Sequence, residues 1–188
     1  MIRSVIRSSF ECGGFVLDAR DWGAVMSVSE PGQKYDGVRT VWRSDGVSAT
    51  IAGGIKPTIH LLFGYLEAVD KVKARVIRGP NLRDCFYVLI TATEASNRKQ
   101  GLLAAMTTRL LDEARKLNKP VWLEATTKYS ARQFTRFGFE TVDEITLGKG
   151  KVNAKGVKQA GGEGVTVIGM IWWPEAARKK TAKEETTQ

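Results

Sequence analysis

Two stretches of this sequence carry the residue types that chemistry needs. In the first, Glu124 lies within "VWLEAT", an otherwise apolar run. A carboxylate buried there costs free energy unless it has a task or a partner. A proton-accepting role and a salt bridge to a neighbouring cation are the two readings. The second is the loop "EASNRKQG", residues 94–101, where an apolar run hands over to an amphipathic one. A helix start presents unpaired backbone N–H groups and the positive end of a dipole, which suits an anion. Gly101 has no Cβ to hold an anion off, Arg98 and Lys99 add charge, and Gln100 adds donors. A surface turn whose glycine eases helix entry is the plainer alternative. Neither G-x-x-x-x-G-K-[ST] nor G-x-G-x-x-G occurs in the loop.

Other candidates are weaker. Glu94 opens the loop and reads as a solvated carboxylate. His60 is the only histidine, which excludes any mechanism that needs two. It stands beside the apolar stripe of a helix and reads as a packing residue. Cys12 and Cys85 form neither a CxxC nor a Cys/His cluster. No metal site and no disulfide framework is expected, which fits a reducing, cytoplasmic setting. Cys85 opens an apolar strand and reads as a small core residue.

The elements that must position these residues follow from periodicity and punctuation. Residues 15–28, "FVLDARDWGAVMSV", predict two short strands about a turn at Asp18 to Asp21, and "EPGQKYDG" breaks the chain. From Pro57, Ile59, Leu62, Phe63, Leu66, Val69, Val72 and Val76 recur every three or four residues, which predicts an amphipathic helix ended by "RGPN". "CFYVLITAT" reads as a strand buried on both faces. A helix from Gly101 puts Leu103, Met106, Leu110, Ala114 and Leu117 on one face, and Asn118 and Pro120 stop it. "VWLEAT" is a second buried strand. Ser130 to Phe137 predict a short helix capped by Ser130 with Gln133. "FETVDEITLG" and "VTVIGMIWW" are strands joined by the Gly- and Lys-rich "GKVNAKGVKQAGGEG". The first unit is βαβ, so its strands are expected parallel with a right-handed crossover. The last two are expected antiparallel.

The chain of 188 residues is 43% hydrophobic, enough for one core. One α/β domain over 1–175 is expected, with a solvated, disordered, charged tail over 176–188. The start, "MIRSVIRSSF", suits a short organelle-targeting segment, and an ordinary helix or strand equally well. No membrane span is visible. The net charge of +9 suits an anionic small ligand as well as a nucleic acid. The cations are scattered and lack the aromatic interleaving of a single-strand binder, so nucleic acid is the less favoured partner.

Arg98 to Gly101 form R-x-x-G at a helix start after a buried strand. This resembles the acyl-CoA loop of the GCN5-related N-acetyltransferases, whose signature there is Q/R-x-x-G-x-G/A. That superfamily then has a short helix followed by "GF", and this sequence has "SARQFTRFGFETVDEI". The likeness includes "PVWLEATT" and "GEGVTVIGMIWWP" and covers residues 23 to 174. It looks closest to fungal members, which often carry a helix before the CoA strand. The resemblance implies a mixed central sheet with flanking helices and two splayed central parallel strands. Acetyl-CoA would be the co-substrate. Its pantetheine arm would lie in the splay and bond Ile90, Ala92 and Thr93 as an added strand would. Its pyrophosphate would rest on Arg98, Lys99, Gln100, Gly101, Leu102 and Leu103. Ser130 and Phe134 would line the pantetheine and thiol end.

The implied activity is transfer of acetyl to a small-molecule or peptide amine in a ternary complex. Glu124 would accept the amine's proton; Tyr129 is the phenol nearest the position of the family's tyrosine and reads either as a replacement acid or as a plain surface tyrosine, with solvent serving the thiolate. Four departures bear on this. Leu103 replaces a Gly or Ala. Phe134 replaces the tyrosine that protonates the thiolate. Ser130 replaces an asparagine. The helices that normally precede the first strands and wall the acceptor pocket are missing or short. The rival readings are a CoA-binding protein without catalysis and a basic binding module. The apolar last strand, read as a sheet edge, predicts a homodimer.

Overall fold

The structure, a computed structural model, describes residues 13–33, 55–77 and 82–177, with the backbone alone over 55–63. The side chain of His60, Cys12, the N-terminal segment and residues 178–188 of the expected tail lie outside the described residues. A six-stranded sheet has the order β1-β2-β3-β4-β6-β5. β1 is Gly14–Ala19, β2 Ala24–Ser29, β3 Phe86–Thr93, β4 Val121–Ala125, β5 Glu140–Leu147 and β6 Val165–Trp172. Helix α1, Ile55–Lys73, precedes β3; α2, Leu102–Leu117, follows it; α3, Lys128–Thr135, follows β4. Only β3 and β4 pair in parallel; the other strand pairs are antiparallel. The fold is the expected α/β one.

Alternation along the strands divides the core in two. Val121, Leu123 and Ala125 of β4 pack with Met106 and Leu110 of α2 and Phe134 of α3 on one face. Trp122 lies on the other, with Val69 and Val72 of α1 and Ile145, Val167 and Ile171. Helix α2 ends at Asn118, whose φ of 50° puts it in the left-handed region that asparagine tolerates. Lys119 N–H reaches the Ala114 carbonyl at 3.0 Å to close that end. Turn residues Arg20, Asp21 and Trp22 all have positive φ, between 50° and 66°.

Four expectations change. The first turn falls at Arg20 to Gly23, not at Asp18 to Asp21, because Asp18 and Ala19 still pair with Val25 and Ala24. The short helix starts at Lys128, not Ser130, because Thr127 is the cap: its side chain accepts from the Ser130 N–H at 3.0 Å, and Ser130 Oγ accepts from the Thr127 N–H at 3.2 Å. Ser130 is thus the returning member of the box. Helix α1 runs from Ile55 and ends at Lys73, with turns carrying the chain to Ile77. The last strand is not an edge. β6 lies between β4 and β5, and both of its apolar faces are covered by the chain itself. The two tryptophans follow suit: Trp172 packs with the α2 and α3 side and Trp173 with the α1 side. β6 therefore offers no open edge at which a second chain would pair.

Candidate active site

β3 and β4 stay paired for only three steps, Phe86 with Val121, Tyr87 with Trp122 and Val88 with Leu123. Beyond Val88 they part. The cause lies across β3: Val88 faces Val28 of β2, yet Ile90 faces Ser27, so Leu89 is an extra residue that bends the strand. The extra residue also exchanges the faces. Cross-strand partners share a face, so Thr91 and Thr93 join Met26 and Ala24 on the α2 side, whereas Ile90 and Ala92 turn to the other.

A cleft of about 400 Å³ opens in the splay. Ile90, Thr93, Leu103, Glu124, Tyr129, Ser130 and Phe134 all line it. The structure therefore brings together seven of the expected site residues. Ala92 is half-buried beside them without lining the cleft. Arg98, Lys99, Gln100 and Gly101 are exposed on the loop joining Thr93 to Leu103. No side chain caps the start of α2, so the N–H groups of its first turn are open to an anion. Gly101 has a φ of +76°, and a Cβ there would meet nothing within 4 Å. The glycine thus answers a backbone requirement first, and the space above it is free. Leu103 is half-buried against the core while lining the cleft.

The loop is itself supported. Glu94 N–H donates to the Gly23 carbonyl at 2.9 Å, and Asn97 Nδ2 donates to Glu94 Oε2 at 2.9 Å. Glu94 is thus an exposed strut of the loop. Gln100 is bonded to the Ser96 carbonyl at 3.1 Å.

Glu124 has no salt bridge of the kind weighed from sequence. Tyr87 Oη donates to its Oε2 at 2.8 Å and Tyr65 Oη to the same oxygen at 3.0 Å, while Trp122 Nε1 donates to Oε1. Burial pushes the Glu124 carboxyl above the usual carboxylate range; the bonds from Trp122, Tyr87 and Tyr65 and the nearby Lys73 charge pull the other way and are outweighed. The result is a carboxylate more basic than a solvated one and held in one orientation. Burial, then the charge of Glu124, raises the pKa of both phenols well above the ordinary value. Neither phenol releases its proton near neutral pH; both serve as donors to Glu124.

This surround is only partly written in the local sequence. Tyr87 and Trp122 are neighbours of Glu124 by register and alternation, a signal present in the strand pattern. Tyr65 arrives from α1, which no local pattern discloses. Lys73, 4% exposed at the end of α1, lies over the rings of Tyr87 and Trp122 at 4.9 and 5.8 Å from their centroids. Helix α1 thus covers the Glu124 face of the sheet.

At the thiol end, Phe134 is buried and meets Phe139 edge-on, with centroids 5.4 Å apart. Ser130 Oγ is committed to Thr127. Tyr129 is 64% exposed and, among the described residues, is the one phenol lining the cleft. Cys85 is buried and free, and burial raises its thiol pKa. Among the described residues no group of His, Cys, Asp and Glu is arranged to hold a metal ion.

No protein-family model matches the chain, and no curated protein matches it. Solved structures do. A histone acetyltransferase HPA2-related acetyltransferase from Corynebacterium glutamicum aligns with 90% of this chain and 69% of its own, at 17% identity and a TM-score of 0.50. The polyamine N-acetyltransferase of Drosophila melanogaster, which forms N-acetylagmatine, aligns over 80% and 68% at 18% identity and a TM-score of 0.51. A mosquito arylalkylamine N-acetyltransferase-like protein gives 80% and 68%, 18% and 0.50. The chain thus has the fold of the GCN5-related N-acetyltransferases. At these identities the likeness is one of fold.

Proposed function

We propose that this chain transfers the acetyl group of acetyl-CoA to an amine by direct attack in a ternary complex. The observation that carries the reading is the splay between β3 and β4, opening toward an uncapped helix start and walled by Glu124. The site suits the co-substrate in three respects. The parted strands leave backbone groups for an extended arm to pair with. The hydroxyl of Thr91, buried beside the cleft, has no partner, and a buried donor of this kind calls for one. The first turn of α2 and the open space at Gly101 suit a pyrophosphate.

Acetyl-CoA, when bound, supplies a thioester-activated acetyl group and a good leaving group. The chain's residues orient and move a proton. Backbone N–H groups in the splay hold the reacting carbonyl and polarise it. Glu124, fixed by three donors, takes the proton from the attacking amine. In this reading the departing thiolate takes its proton from Tyr129, an exposed phenol at the cleft, or from solvent. The acceptor is a small-molecule or peptide amine, and the described helices include none long and apolar enough to cross a membrane. The kinship with fungal members rests on α1 between β2 and β3. Calorimetry with acetyl-CoA, followed by an acceptor screen for free CoA thiol, tests the reading; absence of acetyl-CoA binding would remove it.

Phe134 favours one second reading, a CoA-binding protein that turns over slowly, because a buried phenyl stands where a proton donor is usual. Phe134→Tyr separates the two. The ring already lines the cleft, so the variant is expected to bind acetyl-CoA as the natural protein does and to raise kcat. A large loss of binding would show that the ring edge faces the core and not the thiol.

A further inference from the structure

The net charge of +9 is unevenly placed. Away from the cleft, cations stand beside carboxylates: Lys71 with Glu67, Arg109 with Glu113, Arg115 with Asp112, Lys119 with Asp84 and Arg75 with Asp143. The connection between β5 and β6 differs. It carries Lys149, Lys151, Lys155 and Lys158 against the single carboxylate Glu163. All four lysines are exposed, and none pairs with a described carboxylate. The segment is folded all the same. Asn153 Oδ1 accepts from the N–H groups of Lys155 and Val157 at 3.0 and 3.1 Å, and Val152 bridges Lys158. The charges therefore stand on a platform with its own internal bonds.

The strands place that platform. β6 runs antiparallel to β4 with Ile168 opposite Ala125, and β6 meets the loop three residues earlier, at Val165 opposite Leu147. At roughly 3.4 Å per residue the loop begins about 10 Å beyond the end of β4. That is the end of the sheet on which the cleft opens. Like charges there repel a free polyamine and attract a polyanion.

We propose that this lysine loop docks an acidic polypeptide segment that carries the acceptor amine. The inference rests on the acetyltransferase reading and names its substrate class. The chemistry of the transfer selects polypeptide over nucleic acid. Attack on a thioester needs an aliphatic amine with a free lone pair, which an N-terminus or a lysine offers. The amino groups of nucleic acid bases delocalise theirs into the ring. The loop agrees: it presents ammonium point charges without arginine forks, and it has no aromatic side chain on which a base could stack.

The test uses the full chain and a fluorescein-labelled oligoglutamate peptide with a free lysine, read by anisotropy. The natural protein is expected to bind it with an affinity that falls as salt is raised. The variant Lys149→Ser/Lys151→Ser/Lys155→Ser/Lys158→Ser is expected to bind at least about tenfold more weakly. Acetyl-CoA affinity, measured on the same samples, is expected to be equal in the two. Equal peptide binding by both proteins, no peptide binding by either, or tighter binding of an oligonucleotide of the same charge would overturn the proposal. Failure of acetyl-CoA to bind either protein would refute the acetyltransferase reading and with it the acceptor role. Peptide capture that survives this failure while depending on the lysines would leave an acid-binding surface with no transfer attached.

Discussion

Glu124→Gln is expected to lower kcat by about a hundredfold to ten-thousandfold, the usual worth of a positioned general base, while acetyl-CoA affinity stays unchanged. Glutamine keeps the size of the side chain and an acceptor for the phenols of Tyr65 and Tyr87. It loses the charge and the capacity to take a proton, and its amide faces the Trp122 N–H with a second donor. The pH profile makes the test specific. The amine's proton can pass only to ionised Glu124, and burial raises that group's pKa. The rate of the natural protein is therefore expected to climb with pH through the raised value, and this limb is expected to vanish in the variant. Stability should move in the opposite sense. The folded carboxyl holds its proton more tightly than the unfolded one. Its contribution is fully present below the unfolded value of 4.5 and is lost as pH rises through the folded value. The Tm of Glu124→Gln is expected to gain on the natural protein as pH rises across that window. A variant that keeps its kcat would make Glu124 a structural carboxylate, held by three donors and no more.

Gly101→Asp is expected to weaken acetyl-CoA binding by at least about tenfold, or 1.4 kcal/mol. The residue has a φ of +76°, and its missing Cβ would project into open space. The side chain would clash with nothing in the protein and would stand over the first turn of α2. Aspartate is among the few residues that tolerate this backbone region, at about 1–2 kcal/mol, so the domain is expected to fold. Gly101→Asn adds nearly the same shape without the charge, and its loss of affinity should be smaller. Titration calorimetry on the three proteins measures both effects. Equal affinities throughout would move the pyrophosphate away from this helix start.

The sheet and its helices were legible because their signals are local. β3 and β4 are continuous apolar runs, α2 has a clean three-to-four spacing, and Asn118 with Pro120 marks its end. The boundary of α3 was misjudged by two residues because Thr127 and Ser130 are both capping residues; only the geometry decides which of them starts the helix. The place of β6 was misjudged for a different reason. An apolar strand late in the chain can be an edge or a centre, and the answer depends on where β5 pairs. The cleft was legible as a consequence of the family likeness, whereas its physical cause was not. The extra residue at Leu89 is a register event between two strands far apart in sequence. The surround of Glu124 divides the same way. Trp122 follows from alternation, two residues back on the same face, and Tyr87 from the parallel register. Tyr65 and Lys73 come from a helix whose apolar stripe is legible, whereas the sheet face on which it docks is not.

The central claim is that the gap between β3 and β4 is an acyl-CoA site. Amide hydrogen exchange with and without acetyl-CoA tests it most directly. The account predicts slowed exchange in two segments, residues 89–93, where β3 has left β4, and residues 98–104, where the loop enters α2, with little change along β5 and β6. Acetyl-CoA that leaves both segments unprotected, or protects only residues elsewhere, would contradict it.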